Sequence, residues 1–283
     1  VETLILWLEA APIWVLALVM FGLFAMAVQF GRALGNRQGP KADDGDPGLL
    51  VSASLGLMAL LLGFTVSMAV ARYDERRTVM VAEGNAIGTF VYRTDLMPAG
   101  QQAQVRAALA DYVAARVDVG RQNVTREQLA DARGRQAVAQ QRVWQGVVDS
   151  SSVVPDGSYR MLIVGSANDM FDMAAARDIA LETRLPATLV LLLLFFPLAS
   201  MVLIGYVSGR SARAHALASF EMILLLTLVL ALIADLNRPR RGTILTPQDV
   251  MLAAQDQLRD TRARAAEATR TADTPEDTPE TGE

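Results

Sequence analysis

The chain has 283 residues, of which 52% are hydrophobic and only 20% charged, and its mean hydropathy is +0.28. The formal net charge of -4 lacks the basic footprint of a nucleic-acid binder, so no nucleic-acid partner is expected. The absence of Cys excludes disulfides, thiolate metal sites and Cys nucleophiles, and the single His, His215, excludes His-rich metal centres. The apolar residues are gathered in blocks of about 20, the length that crosses a bilayer core as a helix.

The first block covers residues 12–30, "PIWVLALVMFGLFAMAVQF". Glu2 and Glu9 precede it without any Lys or Arg, so the positive region of a secretory signal is missing. The block reads as an uncleaved span, with Trp7 and Glu9 at the membrane interface. "GNRQGPKADDGDPG" is turn chemistry and leads to the second block, residues 49–70.

Within the second block Ser52, Gly56, Ala59, Gly63 and Ser67 recur at spacings of three and four. On a helix they form one stripe of small residues, with Phe64 and Met68 beside it. Small residues let membrane helices approach closely. The stripe either packs against span one, three or four, or faces copies of itself around an axis and lines a narrow pore.

The apolar run then passes into "RYDERR" with no Pro or turn signal. Span two is therefore expected to continue as one helix into the soluble region. Arg72, Arg76, Glu83 and Ile87 fall near one face, and Asp74 and Arg77 near another. Exposed charge pairs along a helix contribute only about 0.2–0.5 kcal/mol each, so the charges do not account for the continuity. The apolar residues Val79, Val81, Ala86, Ile87 and Phe90 need a cover. Gly84 and Gly88 mark a place where another helix is expected to cross closely.

The middle region, residues 72–184, reads as helical throughout. Val105, Leu109, Tyr112, Val113 and Arg116 keep helical spacing. Pro98 ends one helix and starts the next. Thr125 and Gln128 form a capping-box pattern, and "VPDGSY" is a turn. Asp169 and Asp172 lie three residues apart, next to Arg177 and Asp178. They read as a solvated face paired with Arg177, or as a cation or acid–base pair.

The third block, residues 185–207, is joined to the fourth, residues 216–234, by the short "SGRSARAH". Glu221 sits early in the fourth span, either inside the membrane as a functional acid or in water at the interface. His215 reads as a loop residue. After span four, "DLNRPRRG" offers Arg238, Arg240 and Arg241 to anionic headgroups. Alternatively, Asp235 pairs with Arg72 or Arg184 and locks the spans together. A short amphipathic piece follows at residues 247–264, and the acidic "TADTPEDTPETGE" tail reads as disordered.

The expected fold is an all-α membrane protein, with four transmembrane helices in two hairpins and a helical soluble domain between spans two and three. The first hairpin occupies residues 1–71, the helical domain 72–184 and the second hairpin 185–235. An amphipathic segment at 236–264 and a disordered acidic tail at 265–283 complete the chain. Arg72, Arg76, Arg77, Arg184, Arg238, Arg240 and Arg241 flank spans on the side of the middle domain. They outnumber Arg32, Arg37, Lys41, Arg210 and Arg213 on the other side, which places the middle domain and termini in the cytoplasm. No nucleophile elbow, phosphate loop or His metal cluster occurs, so neither an enzyme nor a cofactor or metal site is expected.

The stretches "LLGFTVSMAVARYDERR", "EGNAIGTFVYRTDLMP", "ANDMFDMAAARDIALETRLP" and "ADLNRPRRGTI" resemble the bacterial bestrophin-like membrane proteins. The residues carrying the resemblance include Gly63, Phe64, Arg72, Asp74, Arg76, Arg77, Glu83, Asn85 and Arg93. They continue with Asn168, Asp172, Arg177, Arg184, Asp235, Arg238 and Gly242. The resemblance implies a likeness to bestrophins, pentameric anion channels with four spans and a helical cytoplasmic domain. By position it implies that Leu60, Phe64 and Met68 narrow a pore beside Gly63 and Ser67. It also implies a bacterial inner membrane, a homo-oligomer in the lipid bilayer, and small inorganic anions as partners. The acidic calcium clasp of animal bestrophins has no match. The competing expectation is a non-conducting membrane sensor or scaffold whose middle domain binds a partner.

Overall fold

A computed structural model of the protein describes residues 11–38, 47–154, 156–210 and 216–272. Within them the regular structure is helical and contains no strand. In chain order the helices are α1 (Ile13–Gln38), α2 (Pro47–Arg93), α3 (Ala99–Val119), α4 (Arg126–Val153), α5 (Gly157–Glu182), α6 (Ala187–Arg210), α7 (Ala216–Leu236) and α8 (Asp249–Ala272). A 3-10 turn at Thr94–Leu96 follows α2. Trp7, Glu9, Lys41, Arg213, His215 and residues 273–283 of the acidic tail lie outside the described residues, and α8 continues through residues 265–272.

α2 runs 47 residues without a break, which at 1.5 Å per residue is about 70 Å. The continuity expected through "RYDERR" is therefore present. Four stretches are long and apolar enough to cross a membrane: Ile13–Arg37, Gly48–Leu96, Gly157–Arg210 and Leu217–Leu236.

The chain forms two compact units. One is drawn from residues 1–75 and 182–246, the other from 76–181 and 247–283. The first unit holds the apolar spans. Its core gathers Phe24 of α1, Met58 of α2, Leu193 and Met201 of α6, and Ile223, Leu226, Leu230 and Ile233 of α7. Span one packs most extensively on span three, and the sequence shows why. Gly31 and Gly35 lie against the backbone of Val202 and Tyr206, while Gly205 and Gly209 lie against the backbone of Val28 and Arg32. Two Gly-x-x-x-Gly pairs face each other, so the helices meet backbone to backbone. The buried hydroxyls of the apolar helices are hydrogen-bonded. Thr65 donates to the Leu61 carbonyl and Thr227 to that of Ile223, and Ser54 of α2 bonds Ser200 of α6 at 2.9 Å.

The second unit is built on α3 and α4, which pack side by side, with α8 on α3. Its core includes Ile87 and Phe90 of α2, Val105, Leu109 and Val113 of α3, Val143 and Val147 of α4, and Ile163 and Met170 of α5. The capping box at the start of α4 is formed in both directions: the Gln128 amide N–H donates to Thr125 Oγ1, and the Thr125 N–H donates to Gln128 Oε1. α8 buries Met251, Ala254 and Leu258, one face of a helix, in the same core. Gly84 meets the side chain of Val250, so a close neighbour stands there as expected, whereas a side chain at Gly88 would meet nothing within 4 Å.

Candidate functional site

In the first unit, α2 presents two unlike sides. Met58, Thr65 and Ala69 are buried, and Leu55, Leu61, Leu62 and Val66 pack against the span core. On the other side Leu60 is 56% exposed, Phe64 67% and Met68 40%. Ser52, Gly56, Ala59, Gly63 and Ser67 are exposed beside them. An added Cβ at Gly56 or Gly63 would meet nothing within 4 Å. Among the described residues the small-residue stripe is therefore exposed rather than packed against spans one, three or four. The close packing that span one needs is supplied instead by the glycines of α1 and α6.

The charges that follow divide between these two sides. Asp74, Glu75 and Arg77 are exposed, Arg72 is half-buried and Arg76 is buried. Arg72 Nε is buried with no hydrogen-bond partner. Arg72 and Arg76 thus share the side of α2 that carries Thr65, Ala69 and Met80, all buried. Of these three arginines only Arg77 stands on the open side.

Glu83 has another role. In the second unit it is fully buried, and its carboxylate accepts from Arg116 Nε at 2.5 Å and from Arg177 Nη1 at 3.0 Å. Arg116 also donates to Asp178 at 2.9 Å, to Gln136 Oε1 at 3.1 Å and to the Ala174 carbonyl at 3.1 Å. One guanidinium on α3 therefore ties α2, α4 and α5 together. Burial pulls the Arg116 pKa down, but the hydrogen bond and charge of Glu83, with the charge of Asp178, push it above its ordinary value. The expected pairing of Arg177 with its neighbours Asp169 and Asp172 is replaced. Arg177 turns inward to Glu83, while Asp169 and Asp172 are exposed. Among the described residues no group of three His, Asp or Glu is placed to hold a metal.

Tyr112 lies in the same core, fully buried, and its hydroxyl has no hydrogen-bond partner among the described residues. Burial raises the phenol pKa well above its usual value. Arg116 opposes that shift, and Glu83 and Asp178 add to it.

One of the two readings of this segment paired Asp235 with Arg72 or Arg184. Its carboxylate instead accepts from the Thr243 N–H at 2.8 Å, the Thr243 hydroxyl at 2.9 Å and the Ile244 N–H at 2.8 Å. It folds the segment after span four back on the end of α7. The local loop wins because three donors lie within nine residues, whereas Arg72 and Arg184 come from distant stretches of the chain. Arg238 donates to the Ala11 carbonyl at 2.8 Å, and Asn237 accepts from the Leu185 N–H at 2.9 Å. Arg184 is exposed just before α6, and Glu221 is exposed in the second turn of α7.

These features define an all-α membrane protein: four apolar helices, the second prolonged well beyond its apolar stretch, and a helical unit assembled largely from the chain between spans two and three. The model of the Bestrophin-like domain matches residues 16–251, and the chain belongs to that family. A crystal structure of a bacterial bestrophin homolog from Klebsiella pneumoniae superposes with a TM-score of 0.60 at 15% identity, covering 87% of this chain and 97% of that one. A mutant of a bestrophin homolog from the same organism gives a TM-score of 0.62 at 14% identity, with the same coverage. At such identities the likeness is one of fold. A comparison with curated proteins returns no match.

Proposed function

We propose that the protein is an oligomeric anion channel of bestrophin type, with span two lining the pore. The observation that carries this reading is the open side of α2. An apolar row, Leu60, Phe64 and Met68, runs beside exposed small residues, with open space over Gly56 and Gly63 among the described residues. Around a shared axis Ser52, Gly56, Gly63 and Ser67 let several copies approach, and the row makes a dry constriction that opens by wetting. Arg77 is the exposed cation past this row and favours anions, with Asp74 and Glu75 offsetting part of its field. Glu83, Arg184, Asp235 and Arg238 hold the frame rather than the path. The spans form two hairpins in a bacterial inner membrane, with the helical unit in the cytoplasm.

The test is anion flux into liposomes holding the purified protein. Phe64→Ala raises the leak and Arg77→Glu shifts selectivity toward cations. A monomeric or dimeric protein in which neither substitution changes flux sinks the channel reading, and a non-conducting scaffold takes its place.

A further inference from the structure

A cavity of about 200 Å³ opens in the membrane unit where one end of α1 meets the end of α6 and the start of α7. Its lining is divided by chemistry. Phe21, Ala25, Val28 and Ile223 make an apolar wall, and Phe21 and Phe220 meet edge to face at 5.8 Å. Gln29, Arg32, Ser208 and Ser219 make a polar one. Among the described residues none of these four side chains makes a hydrogen bond or an ion pair.

Depth decides what such a cavity takes. Arg32 is the first charged residue after the apolar run of α1, Ser208 stands two residues before Arg210 at the end of α6, and Ser219 is in the first turn of α7. All three therefore sit where the apolar spans give way to charge, at the level of the headgroups. An arginine at that depth keeps its guanidinium among headgroups and water, where a phosphate supplies a counter-charge. Guanidinium donors match phosphate oxygens in geometry as well as charge. The volume is several times the ~30 Å³ of a water molecule, and the apolar wall rejects a ligand that is polar all round.

We propose that this cavity binds an anionic phospholipid, with its phosphate on Arg32 and the hydroxyls of Ser208 and Ser219, and its first acyl carbons along Phe21 and Ile223. The site is independent of conduction, so it stands or falls separately from the channel reading.

The full chain in detergent is titrated with phosphatidylglycerol, and bound lipid is counted by native mass spectrometry. Parallel titrations use phosphatidylcholine, diacylglycerol and inorganic phosphate. Phosphatidylglycerol binds best. Arg32→Gln weakens it about tenfold, the equilibrium change expected for one charge-assisted hydrogen bond, and Arg32→Lys retains most of it. Ser219→Phe keeps the charge but fills the space, and it also loses the lipid, so the result does not hang on one variant. Unchanged binding in both Arg32→Gln and Ser219→Phe overturns the site. Diacylglycerol or phosphatidylcholine binding as tightly as phosphatidylglycerol overturns recognition of an anionic phosphate. Inorganic phosphate binding as well as the lipid overturns the lipid as the ligand.

Discussion

Replacing Glu83 with Ala tests how the helical unit is held. The substitution removes the acceptor of Arg116 Nε at 2.5 Å and of Arg177 Nη1 at 3.0 Å, and both guanidiniums are at least nine-tenths buried. Two cations then face each other with only Asp178 left to answer them. Breaking a buried pair by deleting one partner costs about 3–5 kcal/mol, a large part of the roughly 5–15 kcal/mol that holds a typical domain. At about 2–4 °C per kcal/mol for a unit of this size, the melting temperature falls by roughly 10 °C. The assay is a far-ultraviolet circular dichroism melt of the detergent-solubilised protein. Glu83→Gln, which keeps an oxygen acceptor, falls between wild type and Glu83→Ala. Arg135→Ala is the control: Arg135 pairs with Asp118 and Asp131, but its side chain is 51% exposed, and surface pairs contribute little. If Glu83→Ala melts with the control, the buried cluster is not what joins these helices.

Three further outcomes follow from single side chains. The raised pKa of Tyr112 means the folded state keeps a proton that the unfolded chain gives up above about pH 10. Its stabilising contribution is whole below that pH and fades as the pH climbs toward the folded value. Tyr112→Phe, which removes a buried hydroxyl with no partner, melts no lower than wild type near neutral pH and loses less stability in alkali. Equal alkaline losses in the two proteins contradict this. Asp235→Ala strips three hydrogen bonds from Thr243 and Ile244, which costs about 1.5–3 kcal/mol for even one charged bond. Asp235→Asn costs less in the same detergent melt, and three equal melts refute the loop-closing role. Gly205→Val drives a side chain into the Val28 carbonyl and separates α1 from α6, whereas Gly22→Val meets open space. Comparable yield and melting of these two variants contradicts the glycine crossing.

What the sequence carried in full were the features that repeat along one helix. Four apolar lengths, an unbroken run through "RYDERR" and the Thr125–Gln128 cap need no knowledge of a partner. The glycine crossing was missed, although "GRALG" and "GYVSG" near the ends of two spans carry its signal, and only the fold shows that they face each other. The buried cluster left a weaker trace. Arg116 fell among Val105, Leu109, Tyr112 and Val113 at core spacing, a charge where an apolar residue belongs. Its partners Glu83 and Asp178 are 33 and 62 positions away, and a local pattern cannot choose among the chain's 30 acids. Helical spacing alone set Arg72 and Arg76 apart from Arg77, because one step along a helix turns a side chain by about 100°, and burial follows that division.

Reactivity at a single introduced thiol tests pore lining by span two most directly. The chain has no Cys, so Phe64→Cys and Ala69→Cys each carry one. Phe64 is 67% exposed in the isolated chain and Ala69 is 2%. Each variant is reconstituted in liposomes, and anion flux is recorded before and after a charged, membrane-impermeant thiol reagent. The account expects the reagent to change flux sharply at Phe64→Cys and to leave Ala69→Cys as it was. Equal effects at the two positions, or a conducting protein insensitive at position 64, would contradict a pore lined by the open side of α2.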